Sequence, residues 1–222
     1  MTDYVLVHGA WGGGWGYDRL AADLRVAGHR VMVVQLTGLG TRQSEFHPGI
    51  TLTTHIDDVC AQIAEAGFDR FVLAGHSYGG MIVTGVATRL GARIAALVYL
   101  DAFLPEDGQS LWDLTGEWEH NHYIGSQKFT PGAVAPLPGI EHPGLSPHPL
   151  LTMLEAVRFT GEEAKVERRV YVFGNAWEPT PFRRFVARVS TEAGWEYHEA
   201  NAGHDVMGDQ PAQLLALLQS LG

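Results

Sequence analysis

The chain has 222 residues, of which 45% are hydrophobic and 18% are charged, and its formal net charge is −10. This composition is typical of one globular domain with a sizeable core and excludes a disordered chain. The negative balance argues against nucleic acid and anionic membrane surfaces as partners, because both require basic patches.

The first half of the chain alternates short apolar strands with amphipathic helices. Strands are predicted over residues 4–7 and 30–36, and helices over residues 17–27 and from Thr53 or Thr54 to Gly67. Cys60 lies on the inner face of the second helix, so we interpret it as a core residue rather than a nucleophile. The glycine-rich loop at residues 8–15 lacks a P-loop lysine and a dinucleotide fingerprint, which argues against nucleotide binding.

The sequence GHSYG around Ser77 follows the apolar strand predicted over residues 70–75 and precedes a helix that runs to about Leu90. A G-x-S-x-G sequence between a strand and a helix predicts a nucleophile elbow, with the helix beginning at Ser77. The sharp turn lifts the hydroxyl above the sheet, and small residues on both sides let strand and helix approach closely. Ser77 is therefore the candidate nucleophile.

In the second half, the alternation of strands and helices stops after a fourth strand over residues 94–100, which ends at Asp101. Residues 103–165 are rich in proline and glycine and include Trp112, Trp118, Tyr123 and Phe129, so we predict a cap with two or three short helices, one near residues 149–158. Regular elements return as strands over 169–173 and 195–199 and helices over 181–191 and 211–221. The predicted core is thus residues 1–102 and 166–222.

Apolar strands without alternation, each followed by a helix, predict an α/β fold with a mostly parallel sheet of about six strands and helices on both faces. Active sites in such sheets lie beyond the carboxyl ends of the strands. Ser77, Asp101, Glu178 and His204 each follow a predicted strand. The loop that carries His204 is expected to reach back toward Ser77. His204 is therefore the candidate base among the eleven histidines.

The order Ser, acid, His and four matching stretches give the chain a resemblance to the α/β-hydrolases. The stretches are VLVHGAW (5–11), GHSYGG (75–80), VYLDAFLP (98–105) and AGHD (202–205). The chain is similar to the branch that contains plant methyl-ester esterases, hydroxynitrile lyases and bacterial carbendazim-hydrolysing esterases. The resemblance implies that the backbone N–H groups of Ala10 and Tyr78 form an oxyanion hole.

The position of the acid departs from the plant pattern, in which an Asp follows the strand before the last one. Glu178 is the only carboxylate in that loop here. Some α/β-hydrolases take the acid from the strand after the nucleophile helix, where this chain has Asp101. We favour Asp101 because it directly follows an apolar strand, and Glu178 stays open as the alternative.

The remaining histidines suggest no metal site. His8 and His76 flank the candidate site and are interpreted as hydrogen-bonding support rather than bases. His120 and His122 lie in the cap without a nearby cysteine or regularly spaced carboxylate, so we expect exposed loop residues and no bound metal or cofactor.

These observations predict a serine carboxylesterase that cleaves a small, largely apolar or aromatic ester or carbamate through an acyl-enzyme on Ser77. The expected pocket residues are Trp11, Phe103, Trp112 and Trp177. A hydroxynitrile lyase is disfavoured, because the resemblance implies Lys and Thr where this chain has Asp205 and Gly9. A catalytically silent ligand-binding protein remains a second alternative.

The expected location and partners follow from the cysteine usage and the N-terminal sequence. The single cysteine permits no internal disulfide, and no signal peptide or membrane-spanning run is visible. We expect a cytoplasmic protein that binds a small-molecule substrate and no nucleic acid or membrane, with a homodimer left open.

Overall fold

The computed structural model describes residues 1–222, and a sheet of six parallel strands organises it. The strands of the chain are β1 (Asp3–Val7), β2 (Arg30–Val33), β3 (Phe71–Ser77), β4 (Ile94–Ala102), β5 (Ala133–Val134), β6 (His148–Pro149), β7 (Arg168–Gly174) and β8 (Trp195–Ala200). The main sheet has the order β2-β1-β3-β4-β7-β8, and every neighbouring pair is parallel. The predicted α/β fold with about six strands is confirmed.

Nine helices connect and cover these strands. They are α1 (Asp18–Val26), α2 (Leu52–Glu65), α3 (Gly79–Leu90), α4 (Leu111–Leu114), α5 (Glu117–Ser126), α6 (Leu151–Leu154), α7 (Arg183–Val189), α8 (Val206–Asp209) and α9 (Pro211–Ser220). None of them combines the length and the apolar character that crossing a membrane requires.

The central strands β1, β3, β4 and β7 are largely buried on both faces of the main sheet, whereas the edge strands β2 and β8 are partly exposed. In β3, Phe71 and Leu73 contribute to a core cluster of 37 residues, which includes side chains of α2, α3 and α7. Val72 and Ala74 point to the opposite face and join a second cluster of 20 residues, which includes side chains of α1 and α9. Burial on both faces explains why the sequences of the central strands are apolar runs without alternation.

Three predicted helix starts differ from the structure. Thr51, not Thr53 or Thr54, caps α2: its hydroxyl accepts the Thr54 N–H at 3.2 Å, while the Thr54 hydroxyl accepts the Thr51 N–H. The helix α3 begins at Gly79 rather than Ser77, because the turn needs both Ser77 and Tyr78. Residues 14–17 form a separate 3-10 turn before α1. A cap bond between side chain and backbone marks the start of α2, whereas α1 and α3 begin without one, and periodicity alone encodes none of these boundaries.

The segment between β4 and β7, here called the cap segment (residues 103–165), contains α4, α5 and α6. The helix predicted near residues 149–158 spans only Leu151–Leu154. The antiparallel pair of β5 and β6 was not predicted, because strands of two residues show no periodicity. His120 and His122 lie in α5 and are half-buried, so the expectation of exposed loop residues was wrong.

Glycine residues permit the close approach of the backbone at the start of α3. A Cβ atom at Gly75 would lie 2.6 Å from the Gly79 carbonyl oxygen, and one at Gly80 would lie 2.0 Å from the Phe103 carbonyl oxygen. Both contacts are far shorter than van der Waals separation, so a side chain at either position would push α3 away from the strand ends.

Gly80→Ala should lower the free energy of unfolding by about 3 kcal/mol, because the new methyl group meets a backbone oxygen that cannot rotate away. Urea unfolding monitored by circular dichroism measures this change. The matched control is Gly125→Ala in α5, where no atom lies within 4 Å of the added Cβ. That control should gain about 0.5–1 kcal/mol from helix propensity. Equal stability of the two variants would contradict the close approach.

Candidate active site

Ser77 is the last residue of β3, and its backbone is held in the left-handed region with φ of 56°. Such a conformation is rare for a residue with a side chain and is stabilised only by its surroundings. The turn packs tightly, since a Cβ atom at Gly79 would lie 2.7 Å from the Val7 carbonyl oxygen. The structure therefore has the strand, sharp turn and helix that the nucleophile-elbow motif predicts.

Asp101 lies at the same edge of the sheet, one strand away. Ala102 of β4 pairs with Ser77 of β3, after a register shift between His76 and Ser77. Asp101 has a φ of 41° and a fully buried side chain. The two strained residues therefore lie at the ends of adjacent strands of the sheet.

Three donors converge on the Asp101 carboxylate. His204 Nδ1 lies 2.8 Å from Oδ2, the Trp177 indole N–H donates to the same oxygen at 3.2 Å, and the Gly174 N–H donates to Oδ1 at 3.1 Å. Trp177 and Gly174 come from the end of β7 and its loop, and His204 follows β8. Residues from three strands thus meet at one buried carboxylate.

Burial controls the protonation of this pair. It raises the pKa of Asp101, while the Gly174 N–H and the Trp177 indole, which donate to the carboxylate, lower it. Burial lowers the pKa of His204, so its imidazole stays neutral at neutral pH. A neutral imidazole whose Nδ1–H is held by a carboxylate leaves Nε2 available to accept a proton, as a general base requires.

Aromatic side chains hold the His204 ring in place. The Phe182 ring stacks on it at 5.0 Å, and the His76 ring lies 4.4 Å away. His76 Nε2 also bonds the His204 carbonyl oxygen at 2.8 Å, which agrees with the supporting role predicted for His76. No hydrogen bond joins Ser77 Oγ to His204; such bonds often tighten only when substrate binds.

Glu178, the alternative acid, lies outside this arrangement. Its carboxylate is exposed, forms an ion pair with Arg183 and accepts the Thr180 N–H at 3.2 Å. It makes no contact with His204. The geometry therefore favours Asp101 as the acid. From the loop after β7, the side chain that contacts Asp101 is that of Trp177, not that of Glu178.

The two N–H groups predicted for the oxyanion hole, those of Ala10 and Tyr78, donate no hydrogen bond within the chain. His8 supports the first of them. Its Nε2 accepts the Leu36 N–H at 3.3 Å, so its Nδ1 carries the proton and donates to the Gly9 carbonyl at 2.8 Å. That carbonyl belongs to the same peptide unit as the Ala10 N–H, whose direction is thereby held.

Two of the four predicted pocket residues lie beside these groups. Trp177 contacts Asp101 through its indole, and its ring lies 5.2 Å from that of His204. The Phe103 N–H donates to the Ser77 carbonyl at 3.1 Å, and its ring packs on Phe182 at 4.9 Å. Phe182 was not predicted as a site residue, although it lies in the same loop as Trp177.

The other two predicted pocket residues lie in or against the cap segment. The Trp11 indole donates to the Val134 carbonyl at 3.0 Å. Trp112 stacks on His120 at 3.7 Å and lines an open cavity of about 470 Å³, in which Ser77, Asp101 and His204 take no part. The residues that line this cavity are Ser110, Trp112, Asp113, Tyr123, Ile124, Gln127, Leu150 and Leu154.

The chain contains no group of three or more His, Cys, Asp or Glu side chains placed to hold a metal ion. His120 and His122, the closely spaced pair in the cap segment, instead bond the carbonyl oxygens of Trp112 and Ala135, each at 2.8 Å.

Comparisons with known proteins agree with this fold. Residues 4–217 match the alpha/beta hydrolase family. The chain is 37% identical over 242 residues to the carbendazim hydrolyzing esterase of Nocardioides sp. (strain SG-4G), with 100% of both chains covered. It is 34% identical to salicylic acid-binding protein 2 of Nicotiana tabacum, over 46% of this chain and 40% of that protein.

Solved structures show the same fold at lower identity. An extracellular alpha/beta-hydrolase from a Paenibacillus species superposes with a TM-score of 0.83 at 21% identity, covering 100% of this chain and 99% of that one. A pyrethroid hydrolase from Sphingobium faniae JZ-2 superposes with a TM-score of 0.76 at 21% identity, covering 99% and 96%.

Buried neutral histidines make the folded state sensitive to acid. Burial lowers the pKa of His8 and of His55 to about 4, against an ordinary value of 6.5, and also lowers the pKa of His148 well below that value. Between pH 6.5 and about pH 4, these histidines bind protons in the unfolded chain but stay neutral in the folded state. Stability should therefore fall as pH falls through this window, by up to about 1.4 kcal/mol per pH unit for each group.

Urea unfolding between pH 7 and 4 tests this expectation. His55→Gln should make the fall in unfolding free energy with decreasing pH shallower, because one titrating group is lost. His47→Gln, which replaces an exposed histidine, is the matched control. The raised pKa of Asp101 acts in the opposite direction, because there the folded state binds the extra proton. Stability that rises steadily toward pH 4 would contradict the prediction.

Asp101→Asn should lower kcat by about four orders of magnitude, because an amide holds the wrong tautomer of His204 and cannot offset its charge. Glu178→Gln should keep most of the activity, since its carboxylate contacts only Arg183 and the loop backbone. Hydrolysis of p-nitrophenyl acetate measures both effects, and thermal melts monitor the fold. The reverse ranking would move the acid to Glu178, and two modest losses would indicate a Ser–His dyad.

Proposed function

The chain belongs to the alpha/beta hydrolase family and is a carboxylic-ester hydrolase, and we propose that it cleaves small apolar or aromatic esters or carbamates through an acyl-enzyme on Ser77. The observation that carries this proposal is the 2.8 Å contact between His204 Nδ1 and buried Asp101, at the sheet edge where strained Ser77 ends the neighbouring strand. A serine, a neutral imidazole and a carboxylate at one edge suit acyl transfer.

In the proposed first step, Ser77 Oγ attacks the carbonyl carbon of the substrate while His204 Nε2 accepts the hydroxyl proton. Asp101 stabilises the imidazolium that forms. The carbonyl oxygen becomes an oxyanion, and the N–H groups of Ala10 and Tyr78 donate to it. These two donors make no other hydrogen bond within the chain. No existing hydrogen bond therefore has to break before they bind the oxyanion.

The tetrahedral intermediate then collapses as the imidazolium donates its proton to the leaving alcohol or amine. Water enters, gives a proton to His204 and attacks the acyl carbon, so that the acid is released and Ser77 recovers its proton. The stacking of Phe182 on His204 and the bond from His76 to the His204 carbonyl keep the imidazole in one orientation through both steps.

The preference for an apolar or aromatic substrate rests on the side chains around the base. Phe103, Trp177 and Phe182 pack beside the strand ends, and such a surface favours apolar groups. The full-length relative from Nocardioides is named for the hydrolysis of carbendazim, an aromatic carbamate. We therefore propose aryl carbamates, besides aryl and methyl esters, as substrates.

The hydroxynitrile-lyase alternative receives no support from the site. The resemblance to lyases implies a lysine after the base, and this chain has Asp205, whose carboxylate accepts the Gly208 N–H at 3.0 Å as the cap of α8. At the position of the lyase threonine, a Cβ atom on Gly9 would lie 2.9 Å from the Cβ of Ser77.

The location and partners of the protein are likewise proposals. Cys60 is an unpaired, half-buried thiol in α2, and burial raises its pKa to about 11, which fits a core residue of a protein in a reducing compartment. We propose a cytoplasmic hydrolase that acts on small molecules, and fractionation of the source cells tests the location.

Ser77→Ala should lower the turnover of p-nitrophenyl acetate to background, because it removes the nucleophilic hydroxyl. It should not lower the thermal midpoint, because it removes no packing contact. The wild type should release a burst of p-nitrophenol, and mass spectrometry of the quenched enzyme should find the acetyl group on Ser77. Ser190→Ala, on the exposed end of α7, is the matched control with full activity.

A panel of p-nitrophenyl esters, methyl esters and aryl methyl carbamates then ranks the substrates by kcat/KM. Aryl esters and aryl carbamates should exceed aliphatic methyl esters. Retention of most of the activity in a clean Ser77→Ala preparation would refute the serine-hydrolase mechanism, and a wild type without hydrolysis of any panel member would favour a silent ligand-binding protein.

A further inference from the structure

Trp11 follows the proposed oxyanion donor Ala10 and has a strained backbone. Its φ is 60°, in the left-handed region that bulky residues rarely occupy. Only 9% of the residue is exposed. A conformation of this kind persists only where surrounding contacts hold it. The contacts that hold Trp11 therefore influence the direction of the loop that carries the Ala10 N–H.

Three contacts hold Trp11, and all three come from the cap segment. The Trp11 indole N–H donates to the Val134 carbonyl at 3.0 Å, and the Ser146 N–H donates to the Trp11 carbonyl at 2.9 Å. The Trp11 backbone N–H donates to His148 Nδ1 at 3.3 Å. Of these three, only the contact to His148 uses a side chain of the cap segment.

The hydrogen bonds of His148 define one tautomer of its ring. Because the Trp11 N–H can only donate, His148 Nδ1 carries no proton and Nε2 does. The Nε2–H donates to the Thr152 hydroxyl at 2.8 Å, and that hydroxyl donates to the Pro149 carbonyl at 2.7 Å. The side chains of His148 and Thr152 are fully buried, so this chain of bonds excludes water.

His148 also contacts the residue of the second oxyanion donor. Its ring packs edge-on against the Tyr78 ring, with 4.7 Å between the centroids and 79° between the planes. The Tyr78 hydroxyl bonds His55 Nδ1 at 3.0 Å, and His55 Nε2 bonds the Thr37 carbonyl at 2.9 Å. His148 thus contacts Tyr78, which supplies one proposed oxyanion donor, and Trp11, which follows the residue that supplies the other.

We propose that His148 is a positioning residue for the oxyanion hole, through which the cap segment sets the spacing of the Ala10 and Tyr78 N–H groups. It acts through the Trp11 peptide and the Tyr78 ring and contacts no reacting atom. This inference rests on the proposed function, because an oxyanion hole is meaningful only for acyl transfer at Ser77.

The position of His148 predicts which kinetic constant changes. An oxyanion develops only as the carbonyl is attacked, so a displaced donor weakens the transition state more than the bound substrate. Loss of the His148 contact should therefore lower kcat and leave KM nearly unchanged. Loss of a residue that only shapes the cap segment would change KM first.

His148→Leu should lower kcat for p-nitrophenyl acetate by about 10- to 100-fold, with KM within about 2-fold, because it removes the acceptor but keeps an apolar side chain. His148→Asn should restore most of kcat, since its Oδ1 can accept the Trp11 N–H in place of Nδ1. The affinity of an aryl trifluoromethyl ketone, whose adduct with Ser77 places an oxyanion in the hole, should fall in parallel with kcat.

His120→Leu is the matched control, because His120 is also a cap histidine with an Nε2 bond, but to the Trp112 carbonyl. It should leave kcat and inhibitor affinity unchanged. A His148→Leu variant that folds and retains wild-type kcat, or one that changes only KM, would overturn the inference. Equal losses in His120→Leu and His148→Leu would also overturn it, because they would reflect a general loosening of the cap.

Should His148→Leu fail to fold, Thr152→Val and Thr152→Ser keep the inference testable. Valine removes the acceptor that fixes the His148 tautomer and should lower kcat with little change in KM, whereas serine keeps the hydroxyl and should restore it. Unchanged kcat in Thr152→Val would count against the inference. An inactive wild type, or activity that survives Ser77→Ala, would instead refute the proposed function.

Discussion

The contact between Asp101 and His204 is the interaction on which the site depends. A carboxylate with no exposed surface is stable as an anion only when its oxygens accept hydrogen bonds, and here β7, its loop and the loop after β8 supply the donors. The order of strands brings those segments to the end of β4, so the protonation of Asp101 depends on the sheet topology. Trp177 shows this dependence, because its indole donates to the Asp101 carboxylate while its ring borders His204.

Backbone strain is concentrated where the chemistry is proposed. The residues with side chains and positive φ are Trp11, Ser77 and Asp101, and all three lie at strand ends or loops on one edge of the sheet. Each is held by hydrogen bonds from other segments: Trp11 by the cap segment, Ser77 by the Phe103 N–H, and Asp101 by the β7 and β8 loops. The strain is thus balanced by tertiary contacts, and those contacts preorganise groups that would otherwise sample several directions.

Much of the fold could be predicted from local patterns. Apolar runs without alternation correctly predicted a parallel sheet covered on both faces, and the sequence around Ser77 predicted the strand and sharp turn. Local patterns failed where a single side-chain bond sets the boundary, as at Thr51, and where elements are too short to show a period, as in β5 and β6. Two-residue strands form because the cap segment folds back on itself, which is a nonlocal event.

The sequence by itself determined the candidate nucleophile and base, because a strand-turn-helix serine and a histidine after the last strand are each encoded by neighbouring residues. It left Asp101 and Glu178 as alternatives, since both follow strands of the same sheet. Only the tertiary structure shows how their surroundings differ: Asp101 is buried and has three donors, whereas Glu178 is exposed and paired with Arg183. The contact between His148 and Trp11 could not be predicted from the sequence either, because 137 positions separate the two residues and only folding brings them together.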